Sequence, residues 1–185
     1  LESTVSFSLG DWQTSFGKQS LWWGQSYGGD LMFSNNAEPV YMLRLTKTHP
    51  LRLPGILGWL GPIRTDNFLG QLQGQRFVRL TNKFILNGSY DQTLSPQPFL
   101  YGSKFSLMPT ANLEIGVGLT TVLGGQGRPL TFGNFAHTFS FTGSAQNSDP
   151  GDRRTSFEFR YRVPKLRKWL TLYANSMSED QPSPI

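Results

Sequence analysis

Trp22 and Trp23 stand side by side between Gly17 and Gly24, and an Asn35-Asn36 pair follows the apolar run Leu31-Met32-Phe33. Indole rings stack on the CH-rich faces of pyranoses, and amides both donate to and accept from sugar hydroxyls. Trp22, Trp23, Asn35 and Asn36 are therefore candidates for carbohydrate binding. Each position also has a structural reading, and that reading weighs more at all four. The tryptophans fit an aromatic girdle or a loop packed into a lumen. The asparagines fit a turn, because Asn tolerates left-handed backbone and bonds its own loop. Arg128, in Gly124-Gly125-Gln126-Gly127-Arg128-Pro129, is a fifth candidate, suited to acidic sugars or phosphate groups. That run lacks the Gly-Lys-Ser/Thr ending of a phosphate loop, so its glycines read as a tight exit from a strand.

Other chemistries have thinner support. Glu114 and Glu158 could form the acid and base of a glycosidase, but an ion-pair role in a lumen is the stronger reading. His49 and His137 are the two histidines, neither in a metal-ligand spacing, and there is no cysteine. No cofactor or metal is expected. Lys165-Leu166-Arg167-Lys168-Trp169 is one short basic turn with no second basic stripe. It speaks against nucleic acid and for a membrane-edge turn with an interfacial Trp.

Neither the Trp-Trp nor the Asn-Asn pattern suits a helix; both suit loops between strands. The 185 residues are 14% aromatic, with 20 Gly and 12 Pro, only 16% charged, and carry a net charge of +5. Many aromatics and glycines with little charge and a negative mean hydropathy match the alternating strands of a membrane barrel. No apolar run reaches the ~18 residues of a membrane helix.

Period-2 alternation runs through Val5, Phe7 and Leu9, then Trp12, Thr14 and Phe16, then Tyr41, Leu43 and Leu45. Phe68 and Leu72 are set against Asn67 and Gln71, and Tyr101, Phe105 and Leu107 against Lys104 and Ser106. The sharpest cases are Leu113–Thr120, Phe157–Val163 and Leu170–Asn175, giving about eight strands. Arg44, Lys104, Glu114, Glu158, Arg160 and Arg162 fall on the polar phase and are candidates for a charged lumen. Tight turns at Gly10-Asp11, Pro109–Asn112 and Pro164–Lys168 alternate with long segments at Gly17–Pro39, Gly74–Pro98 and Leu123–Thr155. Short turns on one side and long loops on the other are the outer-membrane arrangement. His49–Pro62 breaks the rule and reads as an interfacial excursion or a plug at the barrel end. No helix of convincing length is expected. The fold class is all-β, an antiparallel up-and-down transmembrane β-barrel segment. With no initiator Met and a turn-like ending, residues 1–185 read as a single interior segment of a longer barrel.

The order of motifs resembles the capsule assembly protein Wzi family. The matching residues are Gly17-Lys18-Gln19, Trp22-Trp23-Gly24, Leu31 through Ala37 with Pro39, Phe68-Leu69-Gly70-Gln71-Leu72 and Leu100-Tyr101-Gly102. Pro109, Leu113-Glu114-Ile115-Gly116, the Gly124–Pro129 run, Phe159-Arg160-Tyr161-Arg162 and Glu179-Asp180 follow. The resemblance implies a large outer-membrane barrel acting as a lectin, not an enzyme, that helps attach capsular or exported polysaccharide to the cell surface. Its expected partners are that polysaccharide and outer-membrane lipid. A porin-like channel is the alternative, and a glycan-cleaving enzyme the weaker third. The chain departs from the family in Gln75–Pro98, which is longer and carries an extra apolar run. It departs again in Leu123–Thr155, where Gly133-Asn134-Phe135 and Ser144–Asp149 replace Asp-rich sequence.

Overall fold

The structure is a computed structural model. It describes residues 2–25, 29–33, 37–74, 95–125, 129–139, 152–166 and 169–179, together with the backbone of two short strands within 77–87. Eight strands form one antiparallel sheet: β1 (Ser3–Leu9), β2 (Trp12–Gln19), β3 (Val40–Lys47), β4 (Ile63–Gln71), β7 (Phe99–Thr110), β8 (Leu113–Leu123), β9 (Arg153–Arg162) and β10 (Thr171–Glu179). β5 (Phe77–Arg79) and β6 (Ile85–Asn87) pair separately within the long connection from β4 to β7. Every strand of the large sheet neighbours the next one in sequence, and the sheet does not close, leaving β1 and β10 at its edges.

The register sorts the side chains onto two faces, because successive residues of a strand point to opposite sides. The inner face runs through Arg44 opposite Phe68, Asp66 opposite Lys104, Lys104 opposite Gly118, Gly116 opposite Glu158 and Glu114 opposite Arg160. The outer face carries Val5, Phe7, Phe16, Leu43, Leu45, Leu69, Phe105, Val117 and Leu172, all exposed. An apolar band that long is far beyond the patches a water-soluble monomer presents. It fits lipid, with the charged groups turned away from it. Val117 lies at mid-strand on β8. Val117→Arg is expected to destabilise the barrel by about 2–4 kcal/mol in lipid, and Leu113→Arg, at the strand end, by about 0–1 kcal/mol. Urea unfolding of the refolded full-length barrel in vesicles measures both, and equal costs would contradict a depth-graded lipid face.

One expectation changes, and three segments gain detail. Phe68 is not part of an outward apolar stripe with Leu72: it points inward, Leu69 takes the outer position, and Leu72 follows the end of β4. The reason is packing. Gly102 lies opposite Phe68 on β7, and a β-carbon there would collide with the Phe68 ring. The aromatic thus fills the space the glycine leaves. Asn67, turned outward, is satisfied by Ser103, whose Oγ donates to Asn67 Oδ1 at 2.7 Å. A short helix also forms, α1 (Phe132–His137), which opens on Thr131 as its cap, the Asn134 N–H donating to the Thr131 hydroxyl. Its Phe135 stacks edge-to-face with Tyr101, as does Phe139 just beyond. Next, the Gly74–Pro98 connection, read as a long segment with an extra apolar run, contains the paired backbone of β5 and β6. Finally, in the His49–Pro62 segment, Gly55–Leu60 forms a 3-10 turn with no buried residue.

Candidate functional site

The loop leaving β2 folds onto the inner face. Trp23 sits at its centre, only 4% exposed, and forms the main core with Met32, Met42 and Phe68. Its ring meets Phe33 and Phe68 edge-to-face, with centroids 5.0 and 5.5 Å away. Such pairs add roughly 0.5–1.5 kcal/mol each beyond the area they bury. The ring nitrogen donates to Asp66 Oδ2 at 2.9 Å. Arg44 Nε and Nη2 hold the same carboxylate at 2.8 and 2.6 Å. This bidentate fork leaves the carboxylate oriented to receive the indole. Asp30 closes the loop on itself, accepting from the backbone N–H groups of Trp23 at 3.2 Å and Met32 at 3.1 Å.

A second anchor lies one strand further along. Lys104 Nζ donates to the Trp23 carbonyl and to both oxygens of Glu158, at 2.7 and 2.6 Å. Lys104 is on β7 and Glu158 on β9, so the pair reaches across β8. It can do so because the inner positions of β8 between them are Gly116 and Gly118. A β-carbon on Gly116 would lie 3.0 Å from Glu158 Oε2, and one on Gly118 would lie 2.6 Å from Ser156 Oγ and 3.5 Å from the Trp23 ring. The glycine alternation of β8 is therefore a groove for an ion pair and an indole. Arg160 and Glu114, direct neighbours across β8 and β9, form a further pair.

These contacts divide the candidate residues. Trp23 is consumed by the fold. Trp22 is 43% exposed, and its Nε1 donates to the Gly24 carbonyl at 3.1 Å, which fixes the ring while leaving it accessible. Asn35, Asn36 and Arg128 lie outside the described residues. Of the charged candidates, Arg44, Lys104, Glu114, Glu158 and Arg160 are all engaged in ion pairs on the inner face, and Arg162 is exposed near the turn end of β9. Glu114 and Glu158 are held by different cations, and Glu158 is 1% exposed. Sequence reasoning passed over Asp66, Asp30, Phe33 and the paired glycines. Asp66 had a signal: Arg44 on a buried phase requires a carboxylate, and Asp66 shares that phase on the next strand. Asp30 had none, since its partners are backbone groups.

Comparison with known proteins places this arrangement. The sequence model of the capsule assembly protein Wzi family matches residues 1–185. An uncharacterised 55.8 kDa protein in the cps region of Klebsiella pneumoniae is 25% identical over 172 residues, covering 90% of this chain and 30% of the relative. A solved structure, described as Wzi, an outer-membrane protein involved in group 1 capsule assembly in Escherichia coli and a carbohydrate-binding β-barrel, superposes with a TM-score of 0.71 at 20% identity. That likeness covers 97% of this chain and 35% of the other, so the chain spans about a third of the proteins it matches. The chain belongs to the capsule assembly protein Wzi family.

Proposed function

We propose that the chain forms part of the wall of an outer-membrane β-barrel that binds exported polysaccharide at its long-loop end during capsule or exopolysaccharide assembly. Family membership and the fold likeness to a carbohydrate-binding barrel support this reading. The observation that carries it is the contrast between the two tryptophans. Trp23 nails the loop to the barrel wall, and Trp22 beside it stays exposed with its ring orientation set. A rigid aromatic face binds with little ordering cost. Asn35, Asn36 and Arg128 lie in segments that leave the same end of the sheet and would supply polar contacts.

Trp22→Ala in the full-length protein is expected to weaken binding of surface polysaccharide about tenfold or more, as expected when an aromatic hot spot is lost, with the heat-modifiable barrel unchanged. Asn35→Ala, Asn36→Ala and Arg128→Ala test the polar set in the same pull-down. Undiminished binding by Trp22→Ala sinks the assignment of this residue.

The chain is not proposed as an enzyme. Both glutamates that could serve as acid and base are spent on Lys104 and Arg160, and a carboxylate as buried as Glu158 offers substrate no approach. A porin-like channel is disfavoured by the loop that covers the inner face.

A further inference from the structure

The short-turn end of the sheet has its own chemistry. The 3-10 turn between β3 and β4 presents Ile56 and Trp59 at 90% and 66% exposure, with Leu57 beside them. The turn between β9 and β10 presents Leu166, and Trp169 at 87%. Three strand spacings separate β4 from β9, about 14 Å along the rim. Both patches continue the exposed apolar band of the outer face, where Leu45 and Trp12 are also exposed near this end.

The charge at this end is one-sided. Arg52 and Lys165 lie within the two turns, and Arg167 and Lys168 accompany them in the sequence. Asp11 is the acid of the turn segments, and it is already occupied by Lys47 at 3.3 Å and His49 at 3.1 Å. The Lys47 hydrogen bond and charge hold the Asp11 carboxyl below its ordinary range, so it stays an anion paired at home. Lys47 in turn stands over the Trp12 ring, 5.1 Å from its centroid. Among the described residues, no carboxylate pairs with Arg52 or Lys165. Bulky apolar side chains beside uncompensated cations match a surface whose apolar interior is edged by anions.

We propose that Arg52, Ile56 and Trp59 form one foothold and Lys165, Leu166 and Trp169 a second, and that both dock on anionic phospholipid head groups of the periplasmic leaflet. The aliphatic and indole groups enter the acyl boundary while the cations hold phosphate oxygens above them. The assignment rests on the barrel reading, in which short turns face the periplasm.

Depth measurement with nitroxide labels on the full-length protein, any other cysteine replaced by serine, tests it. Labels go on Ile56→Cys, on Val117→Cys at mid-wall and on Glu38→Cys at the long-loop end. In vesicles of phosphatidylcholine with phosphatidylglycerol, the Ile56 label is expected to collide more with oxygen than with a water-soluble nickel complex, as the Val117 label does and the Glu38 label does not. Raising the phosphatidylglycerol fraction deepens the Ile56 label, and Arg52→Glu with Lys165→Glu abolishes that deepening. A water-exposed Ile56 label, one shielded from both reagents by protein, or a depth indifferent to phosphatidylglycerol overturns the proposal while a lipid-immersed Val117 label keeps the barrel. A water-exposed Val117 label removes the barrel reading itself.

Discussion

Replacing Trp23 with alanine is expected to cost about 3–5 kcal/mol of barrel stability and to free the β2–β3 loop from the inner face. The substitution removes two edge-to-face ring contacts and the hydrogen bond to Asp66 together. The space it leaves is bordered by Phe33, Phe68, Met32 and Met42 on one side and by Gly118 on the other. Gly118 has no side chain with which to refill it, so the cavity term is large. Asp66 keeps Arg44, which limits the loss to the indole itself. The second consequence is functional. Asp30 still ties the loop into a compact turn, but the turn has lost its main fixing point on the wall. Single-barrel conductance of the full-length protein in planar bilayers is expected to rise in Trp23→Ala and to stay at its basal level in Trp22→Ala. Equal conductance of the two variants would deny that this loop obstructs the lumen. Stability is expected to split the same way, since the Trp22 ring is partly exposed and its one bond is to its own loop. The neighbouring tryptophans thus have opposite expected profiles: one damages folding and flow, the other binding.

Much of this arrangement was legible in the sequence, and the illegible part has physical causes. Alternation alone placed Leu113, Ile115, Val117 and Leu119 on one face of β8, because a lipid-facing strand repeats every second residue. It failed on β4, where Phe68 is apolar yet inward. Hydropathy cannot distinguish an aromatic facing lipid from one covering a glycine on the next strand. Gly102 is thirty-four residues away, and only the register joins them. The same limit hid the Lys104–Glu158 pair. Glu114 pairs with Arg160 directly opposite it on the next strand, but Glu158 does not pair so locally. It finds a lysine two strands away, because β8 offers glycine backbone where side chains would block the path. The Trp-Trp motif was visible from the start, but its division of labour was not. Both residues share residue type and sequence neighbours, and what separates them is burial, ring contacts and the hydrogen bonds to Asp66 and Gly24.

Lys104→Met is expected to be as harmful as the loss of Trp23, for an electrostatic reason. It strands the Glu158 carboxylate, which pairs with no other cation among the described residues. Removing one partner of a buried pair costs about 3–5 kcal/mol, because the remaining charge stays desolvated and uncompensated. Glu158→Met strands the Lys104 ammonium in the same way, although the Trp23 carbonyl still accepts from it. Joining the two substitutions leaves no buried charge, so the double variant is expected to be more stable than Lys104→Met alone. A residue of about 1–3 kcal/mol should persist, since the Trp23 carbonyl has then lost its donor. Urea unfolding of the four full-length proteins in one lipid gives the coupling, and simple additivity would show that the two charges do not depend on each other. Conductance separates the pair's two duties. Lys104→Met loosens the loop by removing the donor to Trp23, whereas Glu158→Met leaves that bond in place. The lysine variant should therefore leak more than the glutamate variant at comparable stability, which follows only if the ion pair spanning β8 is also the second clasp on the loop.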